Sequence, residues 1–147
     1  MPQIRHATPE DIDALLPLIH ALAHHHGDPP NCTADALQRD VFGESAILDL
    51  LVAEKDAVIG YVAVTHTAQL QWGVRGLDIH HMFVSPQDRG TGVGAALVQA
   101  ALDHARHLDC AYATVSTDPD NHEAQAFYAH IGFQLRPAGA PRFSIRL

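Results

Sequence analysis

Apolar positions along the chain switch between a period of two and a period near three and a half, and the switches mark out the elements. Gln3 to Ala7 reads as a short opening strand. Thr8-Pro9-Glu10-Asp11 then starts a helix: Thr8 caps, Pro9 suits the first helical position, and Asp11 completes a capping-box-like pair. Ile12, Leu15, Leu16, Ile19, Leu22 and Ala23 form one helical stripe, which Pro17 is expected to kink or break in two. Thr33 caps a second short helix, Ala34 to Phe42, which Gly43 stops. Ile47 to Ala53 is strand-like, Glu54 to Ala57 a hairpin turn, and Val58 to Thr67 the next strand. Leu77 to Val84 is another strand and Ser85 to Thr91 a polar turn. Gly92 to Leu108 is a long helix whose stripe includes Val93, Ala96, Leu97, Ala100, Ala101 and Ala105. Ala111 to Ser116 is a strand, Asp118 to His122 a cap-rich loop, and Glu123 to His130 a short helix. Phe133 to Arg136 and Arg142 to Arg146 read as closing strands. The loop segments are Gly27 to Asn31, Gln69 to Gly76 and Pro137 to Pro141. The order β-α-α-β-β-β-α-β-α-β-β is that of a mixed α/β domain.

Length bounds this picture: 147 residues suit one domain, residues 1–147, with a core that needs no disulfide or metal staple. No apolar run approaches the roughly 20 residues of a spanning helix. The N-terminus lacks the apolar core of a signal peptide, so the expected location is cytoplasmic, with no membrane partner. The formal net charge of −8 argues against a nucleic-acid partner, because phosphate binding is driven by clustered positive charge. Cys32 and Cys110 stand far apart and form neither a disulfide framework nor a zinc knuckle.

The segment that carries chemistry is Val84-Ser85-Pro86-Gln87-Asp88-Arg89-Gly90-Thr91-Gly92-Val93-Gly94-Ala95. It leaves a strand and opens a helix. Its glycines let the backbone turn tightly with unobstructed N–H groups. The first amides of the helix lack internal partners, and the dipole there favours negative charge. Together these make a pyrophosphate cradle. The P-loop pattern is absent, and the Gly90, Gly92, Gly94 spacing does not fit the dinucleotide fingerprint. Alone, the segment has a second reading, a glycine-rich helix start without a ligand.

A second segment runs Asn121-His122-Glu123-Ala124-Gln125-Ala126-Phe127-Tyr128-Ala129-His130-Ile131-Gly132-Phe133. Together the two resemble the GNAT superfamily of acyl-CoA N-acyltransferases. Arg89-Gly90-Thr91-Gly92-Val93-Gly94 matches the family's [RQ]-x-x-G-x-[GA] motif, and Asn121 through Ala124, Phe127, Tyr128 and Gly132 to Phe133 matches N-x-x-A-x-x-[FL]-Y-x-x-x-G-F. Ile4-Arg5-His6-Ala7-Thr8-Pro9-Glu10-Asp11 is similar to the family's opening. The resemblance implies a central mixed, mostly antiparallel sheet with helices on both faces. It also implies acetyl-CoA as co-substrate, and acetyl transfer to an amine. The strand before the glycine loop would splay from its neighbour, so that Met82-Phe83-Val84 offers an edge to the pantetheine arm by β-augmentation. Amides from Gly90 to Ala95, following Arg89, would hold the pyrophosphate. Asn121, with Ala124 and Phe127 of its motif, would line the CoA arm, and Tyr128 would stand near the sulfur.

The reaction has its own demands. A neutral amine attacks the thioester carbonyl, and the resulting oxyanion collapses to expel a thiolate. A strand-end N–H of Phe83 or Val84 suits the oxyanion. A tyrosine of ordinary pKa about 10 suits donation to a thiolate of about 8.5, which makes Tyr128 the general-acid candidate against a packed aromatic role. An alkylammonium of pKa about 10.4 must first lose a proton, and histidine titrates near neutrality. Strict alternation sends His80, Met82 and Val84 to one face and Ile79, His81 and Phe83 to the other, unless a bulge intervenes. His80 is the candidate base and His81 a candidate substrate contact; either is equally a structural or solvated side chain.

A narrower resemblance links Arg39-Asp40-Val41-Phe42-Gly43-Glu44, Leu51-Val52-Ala53-Glu54, Ile59-Gly60-Tyr61 and Trp72-Gly73 to the diamine and polyamine branch. That branch carries Glu-Asp where this chain has His80-His81, which sets polyamine specificity apart from acetyl transfer itself. Trp72 is a candidate wall of the acceptor pocket or a loop-packing residue. The chain has twelve histidines; His20, His24, His25 and His26 read as a solvated cluster at a helix end, without a metal site. His6, His66, His104, His107, His122 and His130 show no convergent spacing. The expectation is an N-acetyltransferase acting on a small primary amine, namely an amino acid, a diamine or an amine-bearing antibiotic. The alternatives are a peptide or protein N-acetyltransferase and a non-catalytic acyl-CoA-binding module. The apolar C-terminal strand suggests a homodimer.

Overall fold

The opening segment folds as β1 (Gln3–His6) and pairs antiparallel with β2 (Leu48–Glu54), in a computed structural model that describes residues 1–137 and 139–147. Position 138, inside the expected loop Pro137 to Pro141, lies outside the described residues. The chain forms two compact units, Met1–Ser116 and Thr117–Leu147.

In the first unit, β2, β3 (Val58–Gln69) and β4 (Val74–Val84) continue the antiparallel run, and β5 (Tyr112–Val115) adds in parallel to β4. The open five-stranded mixed sheet thus has the order β1-β2-β3-β4-β5. The expected loop Gln69 to Gly76 shrinks to a single turn, Leu70–Trp72, closed by Gly73 in a left-handed conformation. Val74, Arg75 and Gly76 belong to β4, because pairing with Gln69, Ala68 and Thr67 satisfies their backbone.

After one 3₁₀ turn, α1 runs unbroken over Ile12–His25 with Pro17 inside it. The expected break does not occur. Leu15 and Leu22 are buried on either side of the proline, while Pro17 and Asp13, the residue whose carbonyl loses its partner, are exposed to water. The second helix is α2 (Ala34–Leu37), with Thr33 Oγ1 accepting from the Ala36 N–H at 3.1 Å. It passes into a π-helical turn, Gln38–Phe42. There a Cβ on Gly43 would approach the Arg39 carbonyl oxygen to 2.7 Å, which is why glycine stands at the stop.

Alternation along the strands divides the core between two faces. One face packs Leu50, Val52, Tyr61, Ala63 and Phe83 against Leu15, Leu22 and Leu37 of the first two helices. The other faces α3 (Val93–His107), whose Leu97 lies against Gly60 and whose Val93, Val98, Ala101 and Ala105 are buried. Each fully buried Leu or Val contributes about 1.5–3 kcal/mol relative to exposure.

In the second unit, α4 (His122–Ile131) forms as the cap residues direct. Among the described residues no strand follows it, so the expected strands Phe133 to Arg136 and Arg142 to Arg146 are corrected. Phe143, Ile145 and Leu147 alternate with polar residues yet are 95%, 85% and 117% exposed. A period of two selects a face, but it becomes a strand only where a neighbouring strand supplies hydrogen bonds. Among the described residues, no helix is long and apolar enough to cross a membrane.

Candidate functional site

The end of β4 is where backbone is left open. Its parallel partner β5 stops at Ile79↔Val115, so within the first unit His80 to Val84 have β3 on one side and no strand on the other. Phe83 and Val84 are buried, and Met82 is half-buried. Close approach fixes this end: a Cβ on Gly60 would meet the Phe83 carbonyl oxygen at 2.9 Å and Leu97 Cδ1 at 3.3 Å. The Ser85 N–H donates to the Ile59 carbonyl at 2.8 Å. Arg89 turns back onto the strand, its Nε donating to the Val84 carbonyl at 2.9 Å and its guanidinium lying 5.1 Å from the centre of the Phe83 ring. The arginine of the motif thus braces the strand end.

The turn that follows needs its glycines at two positions. Gly90 (φ +73°) and Gly92 (φ +90°) adopt left-handed conformations that L side chains rarely take, and Gly92 is the N-cap of α3. Thr91 Oγ1 donates to the Asp88 carbonyl at 2.6 Å. The Ala96 N–H donates to the Gly92 carbonyl at 3.0 Å, so the amides of Val93, Gly94 and Ala95 precede the first intrahelical donor. An open strand edge that leads into free helix-start amides fits the pantetheine and pyrophosphate of a CoA ester. The same 15-residue helix has no lysine or arginine in its first turn, so the negative charge of a ligand would be met by backbone dipoles.

The register of β3 and β4 shifts between Ala63 and Val64: His81 pairs with Ala63 and Ile79 with Val64, leaving His80 as the extra residue. This bulge corrects the alternation expected from sequence. Ile79 joins the face of Met82 and Val84, while His81 stays with Phe83. The His80 and His81 rings stack 4.2 Å apart at 10°. Burial pushes the His81 imidazole below its ordinary value, with the charges of His80 and His26 adding to the shift and Asp28 opposing it. The shift favours the neutral imidazole, the form that accepts a proton.

In the second unit the Asn-x-x-Ala motif is a helix start. Asn121 Oδ1 accepts from the Ala124 N–H at 3.0 Å. Its far end is a Schellman turn: Gly132 takes φ +122°, the Phe133 N–H donates to the Tyr128 carbonyl at 3.0 Å, and the Gly132 N–H to Ala129 at 3.1 Å. Phe127 and Phe133 stand edge-on to the half-buried Tyr128 ring, with centroids 5.1 and 5.6 Å away. Burial pushes the Tyr128 phenol up, so it keeps its proton across neutral pH.

Trp72 is not brought to the end of β4 within one chain. It sits 67% exposed at the β3–β4 turn, and the 11 residues of β4 separate it from Val84. At about 3.3 Å per residue that is roughly 30 Å. Three histidines without convergent spacing do converge. Asp49 Oδ2 accepts from His66 Nε2 at 2.7 Å and from His104 Nε2 at 2.8 Å, and the His6 ring stands 5.0 Å from that of His104. They come from β1, β3 and α3, so no sequence interval could show it. Although burial alone would raise it, hydrogen bonds from His104 and His66 hold the Asp49 carboxyl below the usual range. Among the described residues, no group of three or more His, Cys, Asp or Glu side chains is placed to hold a metal ion. Tyr61, which stands in an apolar run that gives no polar signal, buries its hydroxyl without a partner.

Comparison with known proteins agrees with this geometry. Residues 18–133 match the acetyltransferase (GNAT) family model. The chain is 27% identical over 142 residues to the thialysine N-epsilon-acetyltransferase of Bos taurus, covering 89% of this chain and 83% of that protein. It is 30% identical over 94 residues to a peptidyl-lysine N-acetyltransferase of Escherichia coli, covering 64% and 54%. The ribosomal-protein-alanine N-acetyltransferase of Brucella melitensis shares the fold with a TM-score of 0.78 at 20% identity, covering 100% of this chain and 99% of that one. The chain thus belongs to the GNAT acetyltransferase family.

Proposed function

We propose that this acetyltransferase moves the acetyl group of acetyl-CoA to the primary amine of a small molecule by direct attack, with Tyr128 as general acid and His80 as base. The observation that carries the reading is the open edge of β4 from His80 to Val84, running into the left-handed glycines and free amides that open α3. When bound, acetyl-CoA supplies an activated acetyl thioester. Met82 to Val84 would pair with the pantetheine arm and Gly90 to Ala95 would hold the pyrophosphate, while Arg89 keeps the strand end in shape. An N–H of Phe83 or Val84 would take the oxyanion. His80, the extra residue of the bulge, stacked on His81, would take the proton of the incoming ammonium. The protonated Tyr128 phenol would then supply a proton to the leaving sulfur. The capping bond of Asn121 leaves its amide NH₂ available to the CoA arm.

The amino-acid acceptor of the bovine relative favours a small amine here. The peptidyl-lysine relative favours the second reading, a protein lysine acceptor. The rest of the proposal is a cytoplasmic homodimer. Cys32 and Cys110 are free thiols, as suits a reducing compartment, and the exposed Leu135, Phe143, Ile145 and Leu147 are the kind of surface a second copy covers. Titration calorimetry with acetyl-CoA, free CoA and ATP tests the core of this reading. Binding of acetyl-CoA without binding of ATP is expected. Absence of heat with any CoA ester refutes it and leaves the glycine turn a structural helix start.

A further inference from the structure

Where β5 stops decides how much of the β4 edge is open. β5 has 4 residues, and its last pair with β4 is Ile79↔Val115. A one-residue slip would turn Ala113 and Val115 off the face they share with Leu77 and Ile79. A two-residue slip keeps every side chain on its face, because the period of a strand is two. Slipped by two toward the end of β4, Val115 would stand at His81, and the edge that begins at His80 would be partly covered. The alternation of Tyr112-Ala113-Thr114-Val115 therefore leaves this register open, and contacts across the strands must fix it.

Those contacts lie on one face. Thr67, Gly76 and Tyr112 stand in one row across β3, β4 and β5. A Cβ on Gly76 would fall against Cε2 and Cζ of the Tyr112 ring and 2.7 Å from its Cδ2, so the ring lies on bare glycine backbone. The Tyr112 hydroxyl reaches across β4 to the Thr67 hydroxyl at 3.1 Å. In the next row, Thr65, Asp78 and Thr114, the Thr114 hydroxyl donates to Asp78 Oδ1 at 2.6 Å. The ring is the contact that selects a position. Gly76 is the single glycine of β4, and a tyrosine shifted by two would meet the Asp78 side chain where it now meets backbone.

We propose that Tyr112 is a positioning residue of the CoA site: seated on Gly76 and bonded to Thr67, it holds β5 in the register that ends at Ile79, and so keeps the edge from His80 to Val84 free for the pantetheine arm. This deepens the acetyl-transfer reading and rests on it. Tyr112 acts through the end point of β5, which is why neither family motif includes it.

Amide hydrogen exchange without ligand, together with calorimetric titration with acetyl-CoA, tests the role in the full chain. Tyr112→Val removes the ring and hydroxyl but favours a strand, whereas Tyr112→Phe keeps the ring on Gly76. In Tyr112→Val, the amides of residues 80–84 that face away from β3 should exchange more slowly than in wild type, because the slipped β5 covers them. Acetyl-CoA affinity should fall at least about tenfold in Tyr112→Val. Tyr112→Phe should return both readouts close to wild type. A sheet that is merely loosened exchanges faster, the opposite sign. Faster or unchanged exchange at residues 80–84 in Tyr112→Val therefore overturns the proposal. So does a smaller loss of affinity, which leaves the short connection from α3 as what sets β5. Should Tyr112→Val lack a cooperative melting transition, Gly76→Ala, which unseats the ring with one methyl group, is held to the same two outcomes. A wild type that binds no CoA ester is the separate result that sinks the acetyl-transfer reading and this role with it; wild-type binding that Tyr112→Val leaves intact sinks this role alone.

Discussion

Replacing Asp11 should cost more than any other surface-proximal carboxylate, because four bonds converge on it. Arg5 Nη1 and Nη2 reach its two oxygens at 2.8 and 2.9 Å, the Thr8 N–H donates at 2.8 Å, and the Thr8 hydroxyl at 3.4 Å. Arg5 Nε meanwhile donates to Glu54 at 2.9 Å, so the arginine ties β1, the first turn and β2 together. Removing one partner of a buried pair costs about 3–5 kcal/mol, and a lost cap adds about 1. The Arg5 side chain is 27% exposed and keeps Glu54, however, so solvent reduces the loss. Asp11→Ala is expected to lose about 2–3 kcal/mol, or roughly 5–10 °C in melting temperature. Asp11→Asn, which keeps an acceptor for Thr8, should lose about half of that. The hydrogen bond from Arg5 holds the Asp11 carboxyl below the usual range. A depressed carboxylate contributes fully above its unfolded value of about 3.9 and loses its contribution as pH falls through the folded value. Urea denaturation of wild type and Asp11→Asn from pH 8 downward should therefore show a constant gap to about pH 5 that narrows below about pH 4. A gap that changes between pH 6 and 8, or an Asp11→Ala loss under 1 kcal/mol, refutes the reasoning.

Two further outcomes follow from the site. Gly60→Ala places a Cβ 2.9 Å from the Phe83 carbonyl oxygen, so β4 must shift. It should lose about 1–3 kcal/mol in thermal denaturation and weaken acetyl-CoA binding in calorimetry, and a variant as stable and as tight-binding as wild type would show the strand end to be tolerant. Tyr128→Phe should lower kcat about 10²–10⁴-fold across pH 6–9 with little change in KM for acetyl-CoA, since the buried phenol stays protonated throughout; a loss below tenfold removes Tyr128 as the acid.

The sequence by itself determined what depends on neighbours within a turn or two. Thr33 and Gly43 mark the ends of the second helix and Gly92 the start of α3, because capping is satisfied by residues three to five apart. The two motifs that identify the family are largely such local devices, a left-handed glycine turn and a capped helix. They were legible for that reason. Tertiary structure decided what depends on pairing between distant segments. The bulge at His80 arises from register against β3, which no reading of β4 alone contains. The open edge beyond Ile79 exists because β5 is only 4 residues long, and an edge is a property of the sheet. His66 and His104 meet at Asp49 across 17 and 55 residues of sequence. The alternation of Phe143, Ile145 and Leu147 carried the pattern of a strand and lacked the partner that makes one. Pro17 shows the converse: a local helix breaker is overridden where buried leucines on both sides hold the helix and water takes the freed carbonyl.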